Sequence, residues 1–95
     1  MKLFVDDIRE PPDSSWVVAR TYHGALTALR DEIVDEISLD HDLGGMATGY
    51  DLCKWMCAHG VFPKRIMFHT ANPIGRANMF QLMSHYAPEE VLVEW

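Results

Sequence analysis

Four aspartates and two histidines lie at or just beyond the ends of apolar runs. "KLFVD" leads into Asp6 and Asp7, "EISLD" into Asp40, His41 and Asp42, and "RIMFH" into His69 and Thr70. Carboxylates held a few Å apart repel, so they must share protons, pair with arginine or bind a cation. Oxygen ligands alone suit Mg²⁺, which keeps several waters and recruits phosphate oxygens as further ligands. Imidazole added to carboxylates shifts the preference towards Mn²⁺, Fe²⁺ or Zn²⁺. The histidines could equally stay off the metal and move protons, since free imidazole titrates near pH ~6.5.

Asp6, Asp7, Asp40 and Asp42 are thus the candidate ligands of a divalent cation, Mg²⁺ or Mn²⁺. Asp40, His41, His69 and Thr70 are the candidate catalytic groups. Arg9 and Arg76 are candidate phosphate clamps, because a guanidinium pairs with phosphate through two parallel N–H bonds, and Asn72 joins them as a candidate substrate contact. Each has a structural alternative. Asp6 and Asp7 also suit the start of a turn, Asp42 a glycine-rich turn, Thr70 a turn hydroxyl and Asn72 a helix cap. His41 points opposite to Asp40 if the strand persists, which leaves it open between site and packing. His23, His59 and His85 fall near helix ends and read as surface residues. Cys53 and Cys57, four apart beside Leu52 and Met56, read as core thiols, since two ligands make no zinc site.

The elements that must position these groups follow from patterning. "KLFVD" is a first strand, stopped by the proline- and charge-rich "DIREPPDSS", and "WVVAR" is a second. Thr21 caps a helix running to about Ile33 or Val34, with Ala25, Leu26, Leu29 and Ile33 at helical spacing. "EISLD" is the third strand. Thr48 and Asp51 form a capping-box pair opening "YDLCKWMCAHG", which Gly60 ends. "RIMFH" is the fourth strand, Asn72-Pro73 opens a helix that stops before Pro88, and "EVLVE" is the fifth strand. Strands alternating with helices predict an α/β fold on a mostly parallel sheet, whose ligands bind beyond the carboxyl ends of the strands.

One set of alternate strand positions is apolar: Leu3, Val5, Ile37, Leu39, Ile66, Phe68, Val91 and Val93. The other set, Phe4, Ser38, Met67, Leu92 and Glu94, is mixed. A sheet buried on both faces is apolar at both sets, so helices are expected mainly on one face. Trp16, the "PPDSS" loop or a second copy of the chain would shield the other, which makes a homodimer through the uncovered face one expected partnership.

With 95 residues, 48% of them hydrophobic, the chain reads as a single packed domain, residues 1–95. No apolar run approaches the ~20 residues of a membrane span and the apolar start is too short for a signal peptide, so a cytoplasmic protein with no membrane partner is expected. A net charge of −6 without a basic run argues against a broad nucleic-acid surface. The expected partner is a single phosphate-bearing group, on a small molecule or an RNA end.

The chain resembles the receiver domain of two-component response regulators over nearly its whole length, through "LFVDD", "TYHGALTAL", "EISLD", "TGYDLCKWM" and "IMFHTA". That resemblance implies a flavodoxin-like sheet of five strands. It also implies Mg²⁺ at Asp6 and Asp7, phosphate acceptance at Asp40 and a phosphoryl contact at Thr70. Three departures stand against it. "IREPPDSS" occupies the place of the helix between the first two strands, "EEVLVEW" has no lysine, and no helix follows. The two helices concerned share one face in a receiver, in agreement with the one-sided alternation.

The further motifs "DDIREPP", "SLDHDLGG" and "HTANPIGRANM" are similar to the cyclic-phosphate processing receiver family, a truncated offshoot. Its implied activity is that of a metal-dependent cyclic phosphodiesterase, acting on an RNA 2′,3′-cyclic end or a cyclic nucleotide. The rival reading is a non-catalytic degenerate receiver, a nucleotide- or protein-binding module of the kind a phage encodes. A regulator phosphorylated on Asp40 is disfavoured by the missing lysine.

Overall fold

A computed structural model describes residues 1–95. Its elements run β1 (Lys2–Val5), β2 (Trp16–Ala19), α1 (Tyr22–Asp31), β3 (Glu36–Leu39), α2 (Gly49–His59), β4 (Arg65–Phe68), α3 (Pro73–Tyr86) and β5 (Leu92–Val93). The strands form one sheet in the order β2-β1-β3-β4-β5, parallel at every pairing. This is the α/β fold on a parallel sheet that the pattern predicts, and the five-stranded receiver-like sheet that the resemblance implies.

The predicted caps position the helices. Thr21 accepts from Gly24 N, Asn72 accepts from Gly75 N ahead of Pro73, and Thr48 and Asp51 close a reciprocal capping box. Gly60 adopts the left-handed conformation, with φ 66°, that ends α2. Two boundaries differ from the pattern. Helix α1 stops at Asp31 because Glu32 turns extended while its N–H still bonds Ala28 O; Ile33 therefore lies outside the helix, 84% exposed rather than in the core. Strand β5 is only Leu92–Val93, although Glu94 N continues its bonding to Ile66 O.

Leu3, Val5, Ile37, Leu39, Ile66 and Phe68 form one buried cluster with Ala25 and Leu29 of α1, Leu52, Cys53 and Met56 of α2, and Met79 and Met83 of α3. All three helices thus cover the face that these strand positions present. Burial raises the Cys53 thiol far above its ordinary pKa, in keeping with a core role.

The connections β2-α1-β3, β3-α2-β4 and β4-α3-β5 all progress the same way across the sheet. The β1–β2 connection runs the opposite way, so the right-handed crossover rule sends it over the other face. It is a helix-free loop, residues 6–15. On that face Phe4 is only 5% exposed, because His69 stacks on it and Trp16 meets it edge-on. Lys2 in turn lies over the Trp16 ring. The chain itself therefore shields the central aromatic residue of the helix-free face.

A candidate metal centre at the strand ends

Three backbone bonds carry the parallel register past the strands: Asp6 N to Ala19 O (3.1 Å), Asp40 N to Val5 O (2.9 Å) and His69 N to Leu39 O (3.0 Å). They set Asp6, Asp40 and His69 side by side at the carboxyl edge. Each lies two residues beyond Phe4, Ser38 or Met67, so the period of two turns all three towards the helix-free face. One ligand atom from each of the three lies within 4.8 Å of the others.

Asp6 is fully buried. Its Oδ1 accepts Ile8 N (2.9 Å) and Arg9 N (2.8 Å), and its Oδ2 pairs with His69 Nε2 at 2.8 Å. Burial is the largest single influence on the carboxyl and would raise its pKa. The two loop N–H groups and His69 together outweigh that effect and leave it below the ordinary carboxylate value. His69 is held on both nitrogens and one face: Nδ1 lies 2.8 Å from Ser38 Oγ, and the ring stacks on Phe4 at 4.3 Å and 7°. Asp40, 9% exposed, accepts no hydrogen bond from the chain, so its carboxylate remains available.

The loop above is fastened by two arginines. Arg9 Nη1 donates to His69 O at 2.7 Å, which sets a guanidinium beside the cluster. Arg20 Nη1 donates to the carbonyls of Arg9 (2.6 Å) and Asp6 (3.3 Å), and its Nη2 donates to Glu10 (2.8 Å). Arg20 and Ser38 were not among the sequence candidates. Arg20 reads as a strand end in "WVVAR", and Ser38 only as a polar residue in the mixed strand set.

The remaining candidates do not join this three-residue group. Asp7, expected as a ligand, points to the other side of the strand end, with its carboxylate against Gly44 of the glycine-rich loop. His41 packs on the first turn of α3, so close that a Cβ on Gly75 would lie 2.5 Å from its Cγ, and its Nδ1 pairs with Asp42 at 3.1 Å. Asp42 thus contacts His41 and neither joins the group formed by Asp6, Asp40 and His69. Thr70 is buried, and its Oγ1 accepts Asn72 N at 3.1 Å while its own proton stays free to donate. Asn72 is the cap of α3 through Oδ1. Arg76 donates from Nη2 to Phe68 O at 3.1 Å and lies over Trp95, with Nε buried and unpartnered.

Two carboxylates and an imidazole are a donor set that fits a divalent cation, and the histidine favours Mn²⁺, Fe²⁺ or Zn²⁺ over Mg²⁺. The unpartnered Asp40 carboxylate beside buried Asp6 is the feature such an ion would satisfy. The two surface clefts, about 380 and 400 Å³, are lined by α2–α3 residues and by α1 with the glycine-rich loop, and neither includes the cluster.

No curated protein and no solved structure matches the chain. A family model does: the cyclic-phosphate processing receiver domain matches residues 1–85, from β1 to the last turn of α3. The chain, with its all-parallel receiver-like sheet and its acid–imidazole cluster at the strand ends, belongs to the cyclic-phosphate processing receiver domain family.

Proposed function

We propose that the protein is a metal-assisted phosphoesterase opening a cyclic phosphate, on an RNA 2′,3′-cyclic end or a cyclic nucleotide. The observation that carries this reading is the convergence of Asp6, Asp40 and His69 within 4.8 Å in a chain of this family. These three residues would hold a divalent cation. When bound, the cation supplies positive charge that polarises phosphoryl oxygens and offsets the repulsion between an anionic substrate and a chain of charge −6.

The chain's own groups supply the rest. With one oxygen of Asp40 towards the cation, its other oxygen would take the proton of an attacking water and pass it to the leaving ribose oxygen. Arg9, already anchored over His69 through Nη1, offers its remaining N–H groups to the phosphate.

The test is a cleavage panel on the purified chain. Short RNA with a 2′,3′-cyclic phosphate end, mononucleotide cyclic phosphates and cyclic dinucleotides are incubated with Mg²⁺, Mn²⁺ or EDTA, beside Asp40→Asn. Ring opening that needs the cation and is lost in Asp40→Asn is the expected result. A silent panel from protein that still binds Mn²⁺ would move the function to nucleotide binding without turnover.

A further inference from the structure

Ser38 occupies the middle of β3, in register with Phe4 on one side and Met67 on the other, and is 7% exposed. A buried hydroxyl costs stability unless it is hydrogen-bonded. Its one partner is the Nδ1 of His69, at 2.8 Å. The geometry therefore assigns this hydroxyl to the imidazole.

We propose that Ser38 is a positioning residue for His69, whose hydroxyl serves Nδ1 as donor or acceptor and so frees Nε2 to exchange Asp6 for a divalent cation. The proposal rests on Asp6, Asp40 and His69 forming a cation site. In the metal-free arrangement Asp6 Oδ1 already accepts two N–H groups and Oδ2 accepts from His69 Nε2. In a neutral ring the proton is then on Nε2, Nδ1 carries a lone pair, and the Ser38 hydroxyl donates to it. To ligate a cation, Nε2 must present its lone pair instead, and the neutral ring carries its proton on Nδ1. Nε2 releases one proton to solvent and Nδ1 takes one up, so the net change is zero. Nδ1–H then donates to Ser38 Oγ.

Stacking on Phe4, with Arg9 holding the backbone carbonyl, keeps the ring in place, so the proton relocates while the ring stays. A hydroxyl both donates and accepts and serves either tautomer. A methyl group serves neither, and a carboxylate would accept only. Partners behind a ligating histidine fix its tautomer, and their loss typically weakens metal binding by roughly 10–100-fold.

The experiment compares wild type, Ser38→Ala and Ser38→Thr as full chains. Mn²⁺ affinity is measured by calorimetry, and the His69 ring nitrogens by NMR, metal-free and with diamagnetic Zn²⁺. The wild type is expected to move from Nε2–H to Nδ1–H on adding Zn²⁺. Ser38→Ala should keep its circular dichroism spectrum and bind Mn²⁺ at least about 10-fold more weakly. Ser38→Thr, which restores the hydroxyl on a residue suited to strands, should recover most of the affinity.

Ser38→Ala binding as tightly as wild type, or Ser38→Thr failing to recover, would overturn the role of Ser38 and leave the cation site standing. A wild type that takes no Mn²⁺ and shows no change of tautomer would overturn the cation site itself, and this proposal with it.

Discussion

Asp6 is the residue on which the site and the β1–β2 loop both depend, and replacing it separates those two roles. In Asp6→Ala the N–H groups of Ile8 and Arg9 and the Nε2–H of His69 all lose their acceptor. Hydrogen bonds to a charged group are worth about 1.5–3 kcal/mol each. The exposed loop regains part of that from water, so the expected loss is about 3–5 kcal/mol. Against a total stability of roughly 5–15 kcal/mol, such a variant is close to unfolding. Asp6→Asn keeps Oδ1 for the two N–H groups, and its amide donates to Nε2 once the ring proton sits on Nδ1. Its expected cost is about 1 kcal/mol, or roughly 4–8 °C in melting temperature for a domain of this size.

The two variants differ in acid as well. Because the folded Asp6 carboxyl lies below its unfolded value of 3.8, its contribution is fully present above that pH. It is lost as pH falls through the lower folded value. Stability of the wild type should therefore fall more steeply than that of Asp6→Asn below pH 3.8. Urea unfolding at neutral pH and across the acid range reads both effects. Equal destabilisation by Asn and Ala, or superimposable acid limbs for wild type and Asp6→Asn, would refute this account of Asp6.

Gly75→Ala should lower stability by about 1–3 kcal/mol as the new methyl drives against His41, and the double variant with His41→Ala, which removes the ring but keeps a Cβ 2.9 Å from that methyl, should recover only part of it in thermal unfolding. Thr48→Ala removes one half of the capping box of α2 and should cost about 1 kcal/mol in urea unfolding. Ile33→Ser should stay within about 0.5 kcal/mol of wild type, since the side chain is exposed; a loss typical of a core residue would place Ile33 in the helix after all.

Alternation and capping made most of the fold legible before any coordinates. The apolar set Leu3, Val5, Ile37, Leu39, Ile66 and Phe68 faces the helices, and the caps at Thr21, Thr48, Asn72 and Gly60 are where their residue types put them. Ile33 went the other way because helical spacing continues past Asp31 in the sequence, while the backbone turns extended at Glu32.

The site was legible as an edge but not as a set. Asp6, Asp7, Asp40, His41, His69 and Thr70 all follow strands, yet the same period of two divides them. Asp6, Asp40 and His69 share a side with Phe4 and Ser38, while Asp7 and His41 turn to Gly44 and Gly75. The alternation already set His41 opposite to Asp40; carried past the first and fourth strands as well, it would have divided Asp6 from Asp7 and shown Ser38 on the side of His69. Arg20 had no such signal, because its contacts with Asp6, Arg9 and Glu10 arise only when the loop folds back over the strand ends.

The most direct test of the central claim is pulsed electron paramagnetic resonance on the Mn²⁺-loaded protein, with His69→Gln and Asp40→Asn alongside. The account predicts one Mn²⁺ per chain with an imidazole nitrogen in its coordination shell. The nitrogen signal should vanish in His69→Gln, and binding should weaken in Asp40→Asn. Mn²⁺ bound without nitrogen, or with a nitrogen signal that survives His69→Gln, would contradict it.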